Sequence, residues 1–447
     1  MSLRRGGGSL PAMRHRNYRL FFAGQGLSLV GTWMTSVAQS WLVLQLTGNP
    51  LDLGFLAVAQ FTPVLILGLF GGLLADILPK RPTMYVTQIV AMAVSATLFA
   101  LAATHTVQLW HVFVLAVVMG VRNAIDMPTR QAFAIEMVGR EDIGNAVALN
   151  SAMFNGARVV GPALAGVAIG AFGVAAAFLI DAISFLAVLV ALFAMDESGL
   201  RPSPRLVQVH SARAVVENLA EGLGYVRRTG VVLLSVTIIA VVATFGINFS
   251  VLIPPLAVTL GVGPIGYGFL MAASGLGSLL AALLIAFRGT KPSRMLLGAL
   301  ILGAAEMVMG GTSSYVVDLG LMFTAGAGAI SMMATANTAI QLAVPDVLRG
   351  RVMSVYTTVF AGASPVGGLT VGAIAAGAGA QVALFVGGFI SFAVALAGVV
   401  WYRALRRDGQ IPARVASSHP MAVSSGALGP PGPAGAAPIS TSARPSR

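Results

Sequence analysis

Residues 231–258 read VVLLSVTIIAVVATFGINFSVLIPPLAV and contain no charged side chain. Because a membrane helix needs about 20 apolar residues to cross about 30 Å of hydrocarbon, this stretch is long enough to span a bilayer. The first apolar stretch in the chain, at 20–46, is too long for a signal-peptide core, so we expect it to be retained in the mature protein. In all we predict twelve spans, at 20–46, 52–76, 83–104, 107–127, 143–172, 174–195, 231–258, 265–287, 294–312, 317–341, 352–376 and 380–402.

The composition of the whole chain also indicates a membrane protein. Of its 447 residues, 57% are apolar and 9% are charged, against about 45–50% and about 25% in typical soluble domains. Too little polar surface would remain to cover a soluble globule of this size. So apolar a chain is not disordered, and the absence of cysteine excludes a disulfide-stapled fold.

The charges indicate orientation. The chain carries 27 Lys and Arg against 15 Asp and Glu, a formal net charge of +12. When successive connections are placed on alternate sides, one side collects nearly all the basic residues, and the other has none in its connections near Gly48, His105, Gly173, Gly263, Ser313 and Gly379. The positive-inside rule then predicts that both termini are cytoplasmic. The excess positive charge therefore does not indicate nucleic-acid binding.

The two halves of the chain resemble each other. Gly54-Phe-Leu-Ala-Val-Ala59 in span two is similar to Gly268-Phe-Leu-Met-Ala-Ala273 in span eight, and spans five and eleven share a weaker match. Such a parallel repeat predicts two pseudo-symmetric six-helix bundles around a central site. The expected organisation is a basic cytoplasmic N-terminus (1–17), an N-terminal bundle (18–195), a cytoplasmic linker with an amphipathic helix (196–230), a C-terminal bundle (231–403) and a disordered cytoplasmic tail (404–447).

Polar residues form stripes on spans one, seven and ten. They recur at spacings of three, four or seven residues, which places them on one helical face. For any single Ser or Thr, hydrogen bonding between helices remains an alternative. Three stripes on symmetry-related helices favour a shared substrate cavity, lined by Gln25, Ser28, Thr32, Thr35, Gln39, Thr244, Asn248, Ser331, Thr335 and Thr338.

An ordered set of motifs connects these features to a known family. It comprises Asn17-Tyr-Arg-Leu-Phe-Phe, Gly31-Thr-Trp-Met, Asp126-Met-Pro-Thr-Arg-Gln131, Asn155-Gly-Ala-Arg-Val-Val-Gly-Pro162 and Val344-Pro-Asp-Val-Leu-Arg-Gly-Arg. Over about residues 16–403 the chain resembles the major facilitator superfamily, within its bacterial branch of drug and siderophore exporters similar to the enterobactin exporter. The resemblance implies an all-α membrane fold of twelve helices in two six-helix bundles.

The resemblance also implies a gate on the cytoplasmic side. The signature loop of the superfamily matches Gly72, Asp76, Lys80 and Arg81, while Ile77 and Pro79 depart from it. In the family the Asp latches the gate by pairing with arginines and with the start of span eleven. A plain solvated loop remains the alternative. The candidate gate residues are therefore Gly72, Asp76, Lys80, Arg81, Arg122 and Asp126.

Span five carries a form of the family's antiporter motif, in Gly161, Pro162 and Gly166. Small residues allow close helix packing and the proline bends the helix, so packing alone is an alternative to a role in exchange. Arg158, just before the motif, is the most deeply placed cation in the spans. A guanidinium at that depth requires a counter-ion or a watery cavity. It would either pair with an intramembrane acid or attract an anionic substrate.

Proton coupling needs an acid within reach of water inside the membrane. Asp126, Asp181 and Glu306 are the candidates, each with structural hydrogen bonding as the alternative. No nucleotide-binding loop and no metal-ligand cluster occur, so we expect no cofactor, no metal and no enzymatic activity.

These observations predict a secondary active exporter of a small amphipathic molecule, a drug, siderophore or secondary metabolite, that works by alternating access and proton antiport in the inner membrane. The expected partners are the substrate, protons and the lipid bilayer, for a monomer that binds no nucleic acid. An uptake permease or uniporter of the same fold is the alternative, and a polytopic membrane enzyme or scaffold a remote one.

Overall fold

The computed structural model describes residues 10–201, 212–289 and 291–410, including their side chains except those of residues 69–76, 212–216 and 288. The predicted disordered tail from 411 onwards and residues 1–9 of the predicted N-terminus lie outside this part of the chain. The helices of the described part are α1 (Arg16–Thr47), α2 (Pro50–Ile77), α3 (Lys80–Ala103), α4 (Leu109–Phe172), α5 (Val174–Phe193), α6 (Ala212–Arg228), α7 (Gly230–Phe245), α8 (Phe249–Thr259), α9 (Gly263–Arg288), α10 (Pro292–Gly311), α11 (Tyr315–Ala343), α12 (Asp346–Ala378) and α13 (Ala380–Arg407).

These helices make twelve membrane crossings. Eleven helical stretches of the described chain are long and apolar enough to span a bilayer. One of them, α4, has 64 residues and contains two crossings, because Gly139 interrupts it with a φ of +75°. A side chain at Gly139 would collide with the guanidinium of Arg201, so glycine suits both the backbone and the space. The predicted twelve-helix fold is confirmed.

The two ends of the molecule differ in charge. We call the end that holds the start of α1, the end of α13, the α6 linker and the α9–α10 connection with Lys291 the basic end, and the opposite end the neutral end. The connections at the neutral end lie at 48–49, 104–108, 173, 260–262, 312–314 and 379, and contain no Lys or Arg.

Three boundaries differ from those predicted. Span four does not end at 127 but continues to Gly139, because Phe133 and Met137 are buried against Tyr18 and Phe21 of α1 at the basic end. Span seven is not one helix but breaks between α7 and α8. The last helix continues to Arg407, into the predicted tail, and its Leu405 packs against Gly230.

The break between α7 and α8 is stabilised by one polar side chain. A helix that stops leaves its last carbonyl groups without N–H partners. The amide nitrogen of Asn248 donates a hydrogen bond of 2.7 Å to the carbonyl oxygen of Thr244. Two members of the predicted polar stripe of span seven therefore serve this interruption of the helix.

The linker is attached to both bundles. At its start, Asn17 of α1 exchanges hydrogen bonds with the backbone of Asp196, at 2.7 and 3.0 Å. At its end, α6 lies on α12, where Glu221 forms an ion pair with Arg351. The Tyr225 hydroxyl also donates to the carbonyl oxygen of Ala343 at 3.3 Å.

Candidate substrate cavity and gate

The two bundles are joined at the neutral end. There α2 packs against α12, and the second half of α4 packs against α9. A Cβ atom on Gly54 would lie 2.5 Å from the carbonyl oxygen of Gly368, and one on Gly166 would lie 2.8 Å from that of Pro264. Backbones this close leave no passage along these two contacts, and small residues permit the approach.

At the basic end the same helices have open faces. A Cβ atom on Gly144 or Gly156 of α4 would meet no described atom within 4 Å. Val147 of α4 is 59% exposed and Phe287 of α9 is 80% exposed. A cavity of about 470 Å³ lies here between α1 and the two halves of α4, lined by Phe21, Leu29, Met127, Arg130, Gln131, Ala134, Ile135, Ile143, Ala146, Val147, Asn150, Ser151, Met153, Phe154 and Asn155.

The antiporter-like motif forms part of the neutral-end contact. Gly161 packs against Trp33 of α1, where a Cβ atom would lie 2.5 Å from that of the tryptophan. The carbonyl oxygen of Pro162 faces Gly268, and Gly166 lies against the same glycine of α9. The motif thus brings α4 into backbone contact with both α1 and α9.

Among the predicted gate residues, Asp126 is the centre of a buried network. Its carboxylate lies 3.2 Å from the guanidinium of Arg122 and 3.3 Å from that of Arg130. Thr87 and Gln88 of α3 donate hydrogen bonds to it at 2.8 and 2.9 Å. Sequence reasoning missed these two residues, although they lie next to each other in span three.

Four other predicted gate residues lie at the end of α2 and the start of α3. Arg81 donates two hydrogen bonds to the carbonyl oxygen of Leu192, at 3.2 and 2.8 Å, and pairs with Glu197. It therefore joins the start of α3 to the end of α5. Lys80 is the first residue of α3. Gly72 and Asp76 belong to α2, and their side-chain positions lie outside the described ones.

The predicted cavity stripe of α1 is buried inside the N-terminal bundle. Gln25, Ser28, Thr35 and Gln39 are each at most 5% exposed. Thr35 donates a 2.7 Å hydrogen bond to Asp181 of α5, and Gln39 accepts one of 2.9 Å from Gln60 of α2. The Thr32 hydroxyl donates a 2.9 Å hydrogen bond to the backbone carbonyl oxygen of Ser28, one turn earlier in the same helix. The stripe faces neighbouring helices in this structure, not open volume.

The stripe of α11 is divided between open and buried positions. Ser331 lines a pocket of about 240 Å³ between α9, α10 and α11. Thr335 is 1% exposed, and its hydroxyl has no hydrogen-bond partner among the described residues. The Thr338 hydroxyl donates a 2.9 Å hydrogen bond to the backbone carbonyl oxygen of Ala334. In α7, the Thr244 hydroxyl donates one of 2.7 Å to that of Ala240.

Two of the buried acids, Asp181 and Glu306, lie at corresponding helix contacts of the two bundles. Gly31 of α1 faces Asp181 of α5, which accepts 2.7 Å hydrogen bonds from Thr35 and from Ser95 of α3. At the end of α7, Gly246 faces Glu306 of α10. Span n of the first half corresponds to span n+6 of the second half. The contact around Gly31 and the contact around Gly246 are therefore equivalent, and we call each of them a seam.

The second seam differs from the first in which helix supplies the acid. In the first half the carboxyl comes from span six and a serine from span three. In the second half Glu306 comes from span nine, and Ser391 of span twelve lies next to the same glycine, Gly246. An oxygen of Glu306 and the hydroxyl of Ser391 have no hydrogen-bond partner within the described chain.

Arg158 lies in the second half of α4, with its guanidinium carbon 5.9 Å from the centre of the Trp33 ring. The Phe154 ring meets that tryptophan edge to face at 5.8 Å. No carboxylate pairs with Arg158 among the described residues. Of the two roles that the sequence allowed, pairing with an acid of the membrane is therefore not seen in this conformation.

Two joined helical bundles, the first of which lines a cavity at the basic end, are the architecture of a polytopic membrane transporter. The sequence profile of the transmembrane secretion effector family, of the major facilitator type, matches residues 7–422, and the chain belongs to this family. The predicted membership and the prediction of a secondary transporter are confirmed.

Related proteins are transporters too. The chain is 29% identical over 381 residues to the multidrug efflux pump Tap of Mycolicibacterium fortuitum, which covers 83% of this chain and 91% of Tap. It is 28% identical over 264 residues to the uncharacterized MFS-type transporter YfiS of Bacillus subtilis, covering 58% of this chain and 61% of YfiS. The staphyloferrin A transporter of Staphylococcus aureus is 29% identical over 176 residues, 39% of this chain and 44% of that protein.

Solved structures share the fold. A variant of the nucleoside transporter NupG superimposes with a TM-score of 0.68 at 11% identity, covering 87% of this chain and all (100%) of NupG. A bacterial homologue of the human lysosomal transporter Spinster, inward-facing and occupied, gives 0.66 at 13% identity, covering 92% and 100%. At such low identity these similarities establish the fold alone.

Proposed function

We propose that this protein exports a small amphipathic molecule across the cytoplasmic membrane by alternating access, in exchange for protons. The observation that carries the proposal is the asymmetry between the two ends. The bundles meet backbone to backbone at the neutral end, while a cavity of about 470 Å³ is open at the basic end. Rocking of one bundle against the other would close the basic end and open the neutral end.

The distribution of charge supports the direction of this cycle. The basic end carries the Lys and Arg residues of the connections, and the neutral-end connections carry none. By the positive-inside rule the basic end is cytoplasmic, so both termini are inside and the open cavity faces the cytoplasm. The resemblance to Tap, described as a multidrug efflux pump, supports export of drug-like molecules.

For proton coupling we favour Asp181 among Asp126, Asp181 and Glu306. Asp126 is already held by two arginines, which suits a structural role in the gate. Asp181 touches both α1, through Thr35, and α3, through Ser95, so a change in its protonation would alter contacts between three helices. Glu306 lies at the equivalent seam of the C-terminal bundle and is the second choice.

The test is transport by a host whose own efflux pumps have been deleted. Accumulation of a broad panel of amphipathic compounds is measured with and without a protonophore, for the wild type and for Asp76→Asn. We expect the wild type to lower accumulation of some compounds only while the proton gradient stands. Correct membrane insertion without gradient-dependent efflux of any compound contradicts export. Higher accumulation than in the empty host would instead indicate uptake.

A further inference from the structure

Arg158 lies just beyond the residues that line the cavity. Ser151, Phe154 and Asn155 of α4 line the cavity, and Arg158 follows them by seven, four and three residues. Residues at these spacings share one face of a helix. Arg158 is therefore placed one turn beyond the innermost lining residues, on the same face. Its side chain remains partly exposed.

The closed contact between α4 and α9 begins at the level of Arg158. A Cβ atom on Gly275 of α9 would lie 2.7 Å from the carbonyl oxygen of Arg158, so the two helices touch at this level. From here to the neutral end α4 and α9 stay in contact, through Gly166 and Gly268. The guanidinium thus lies at the depth where the open space gives way to the closed contact.

Among the described side chains, no carboxylate is paired with this cation. Asp126 is paired with Arg122 and Arg130, and Asp181 accepts hydrogen bonds from hydroxyl groups. The facing helix α9 contains no Asp or Glu. The Trp33 ring offers its face to the guanidinium, which a cation favours. That contact leaves the N–H groups of Arg158 free to bind an oxyanion.

We propose that Arg158, on the platform formed by Trp33 and Phe154, binds the carboxylate of amphipathic substrates whose apolar body lies along the cavity wall. An arginine fork matches the two oxygens of a carboxylate. Leu29, Met153 and Phe154 supply the apolar lining next to it. This inference rests on the proposed transport function and specifies its substrate class.

Three matched fluorescent probes test the inference. Dansylglycine is an anion, dansylglycinamide is its neutral analogue, and dansylcadaverine is a cation. Their binding to the purified full-length protein is measured by dansyl fluorescence and anisotropy. We expect the wild type to bind dansylglycine about 10- to 100-fold more tightly than the amide, the range typical of hydrogen bonds to a charged group. Arg158→Gln should remove this preference by weakening the anion alone.

Two further variants control the experiment. Arg158→Lys keeps the positive charge and should retain part of the preference for the anion. Arg403→Gln removes an exposed arginine of α13 and should leave all three affinities unchanged. If Arg158→Gln binds neither dansylglycine nor dansylglycinamide, Arg158→Lys provides the test. Equal binding of these two probes by Arg158→Lys overturns the proposal. A wild-type preference that survives in Arg158→Gln, or its absence from the wild type, also overturns it.

Transport in proteoliposomes separates this inference from the proposed export. A preference that depends on Arg158, without gradient-driven movement of dansylglycine, supports the site and contradicts proton-coupled export. Gradient-driven movement of the anion and the amide at equal rates, in the wild type and in Arg158→Gln, supports export and overturns the site.

Discussion

Asp126 shows how a single carboxylate can hold a membrane bundle together. It is fully buried and contacts Arg122 and Arg130 on its own helix, and Thr87 and Gln88 on the neighbouring α3. Asp126 and Arg122 are buried and Arg130 is partly buried. These charges are stable only as a set, because a buried charge left alone would be uncompensated.

We expect Asp126→Asn to destabilise the protein by about 3–5 kcal/mol, the cost typical of breaking a buried ion pair. Two guanidinium groups would then repel each other without an anion between them. The measurement is the thermal unfolding midpoint in detergent. Asp346→Asn is the matched control, since its carboxylate is 86% exposed in its pair with Arg349, and exposed pairs contribute at most about 1 kcal/mol. Equal shifts for the two variants would contradict the prediction.

Asp181 permits a test of coupling that leaves the fold intact. In Asp181→Asn the amide oxygen can still accept the hydrogen bonds of Thr35 and Ser95, but the side chain no longer binds or releases a proton. We expect substrate binding to persist and gradient-driven transport to be lost. Glu306→Gln serves as the comparison at the equivalent seam. If Asp181→Asn transports normally while Glu306→Gln does not, the coupling residue is Glu306.

At the scale of elements, the contact between α2 and α12 controls whether the neutral end closes. It depends on Gly54, whose Hα side lies against the backbone of Gly368 and Leu369. Helices without bulky residues at the crossing approach closely, and a side chain would separate them.

Gly54→Leu should therefore favour the conformation that is open at the neutral end. Overpacking costs about 1–3 kcal/mol, which corresponds to a shift of about 5- to 150-fold between the two conformations. Because the chain has no cysteine, a single cysteine introduced at Ser36, a half-buried residue of α1, can report opening through its labelling rate. Gly377→Leu on α12 is the control, since a Cβ atom there meets nothing within 4 Å. Unchanged labelling in Gly54→Leu would count against the assignment.

The docking of α6 on α12 is a second property of elements. A Cβ atom on Gly222 would lie 2.5 Å from the carbonyl oxygen of Arg351, whereas one on Gly224 meets nothing. We expect Gly222→Leu to release α6 and to speed trypsin cleavage after Arg227 and Arg228. Gly224→Leu should be cleaved like the wild type. Equal cleavage of both variants would show that α6 does not depend on this contact.

At the scale of the whole molecule, alternating access requires the neutral-end contact to break in every cycle. Gly170 of α4 and Ile265 of α9 lie side by side there, and a Cβ atom on Gly170 would lie 2.6 Å from Cγ1 of Ile265. Cysteines at both positions of this cysteine-free chain can be cross-linked by oxidation. We expect the cross-link to abolish transport and a reductant to restore it, while each single cysteine variant stays active. Full transport by the fully cross-linked protein would contradict the proposed cycle.

Much of this protein is determined by its sequence alone. The number of crossings, the resemblance between the halves and the location of the basic connections depend on local hydropathy and charge, which any reader of the chain can measure. The helix breaks are harder to predict from the sequence. Gly139 breaks α4 with a positive φ next to Arg201, and the break after Gly246 is capped by Asn248.

Only the tertiary structure decided what each polar face meets. The spacing of Thr35 and Gln39 places them on one side of α1, but spacing cannot distinguish a neighbouring helix from a cavity, and Asp181 and Gln60 occupy that side. For Arg158 the reverse holds. The sequence marked it as a buried cation that needs a counter-ion. In the described part of the chain no carboxylate pairs with it, because the facing helix α9 brings only apolar and small residues to that level.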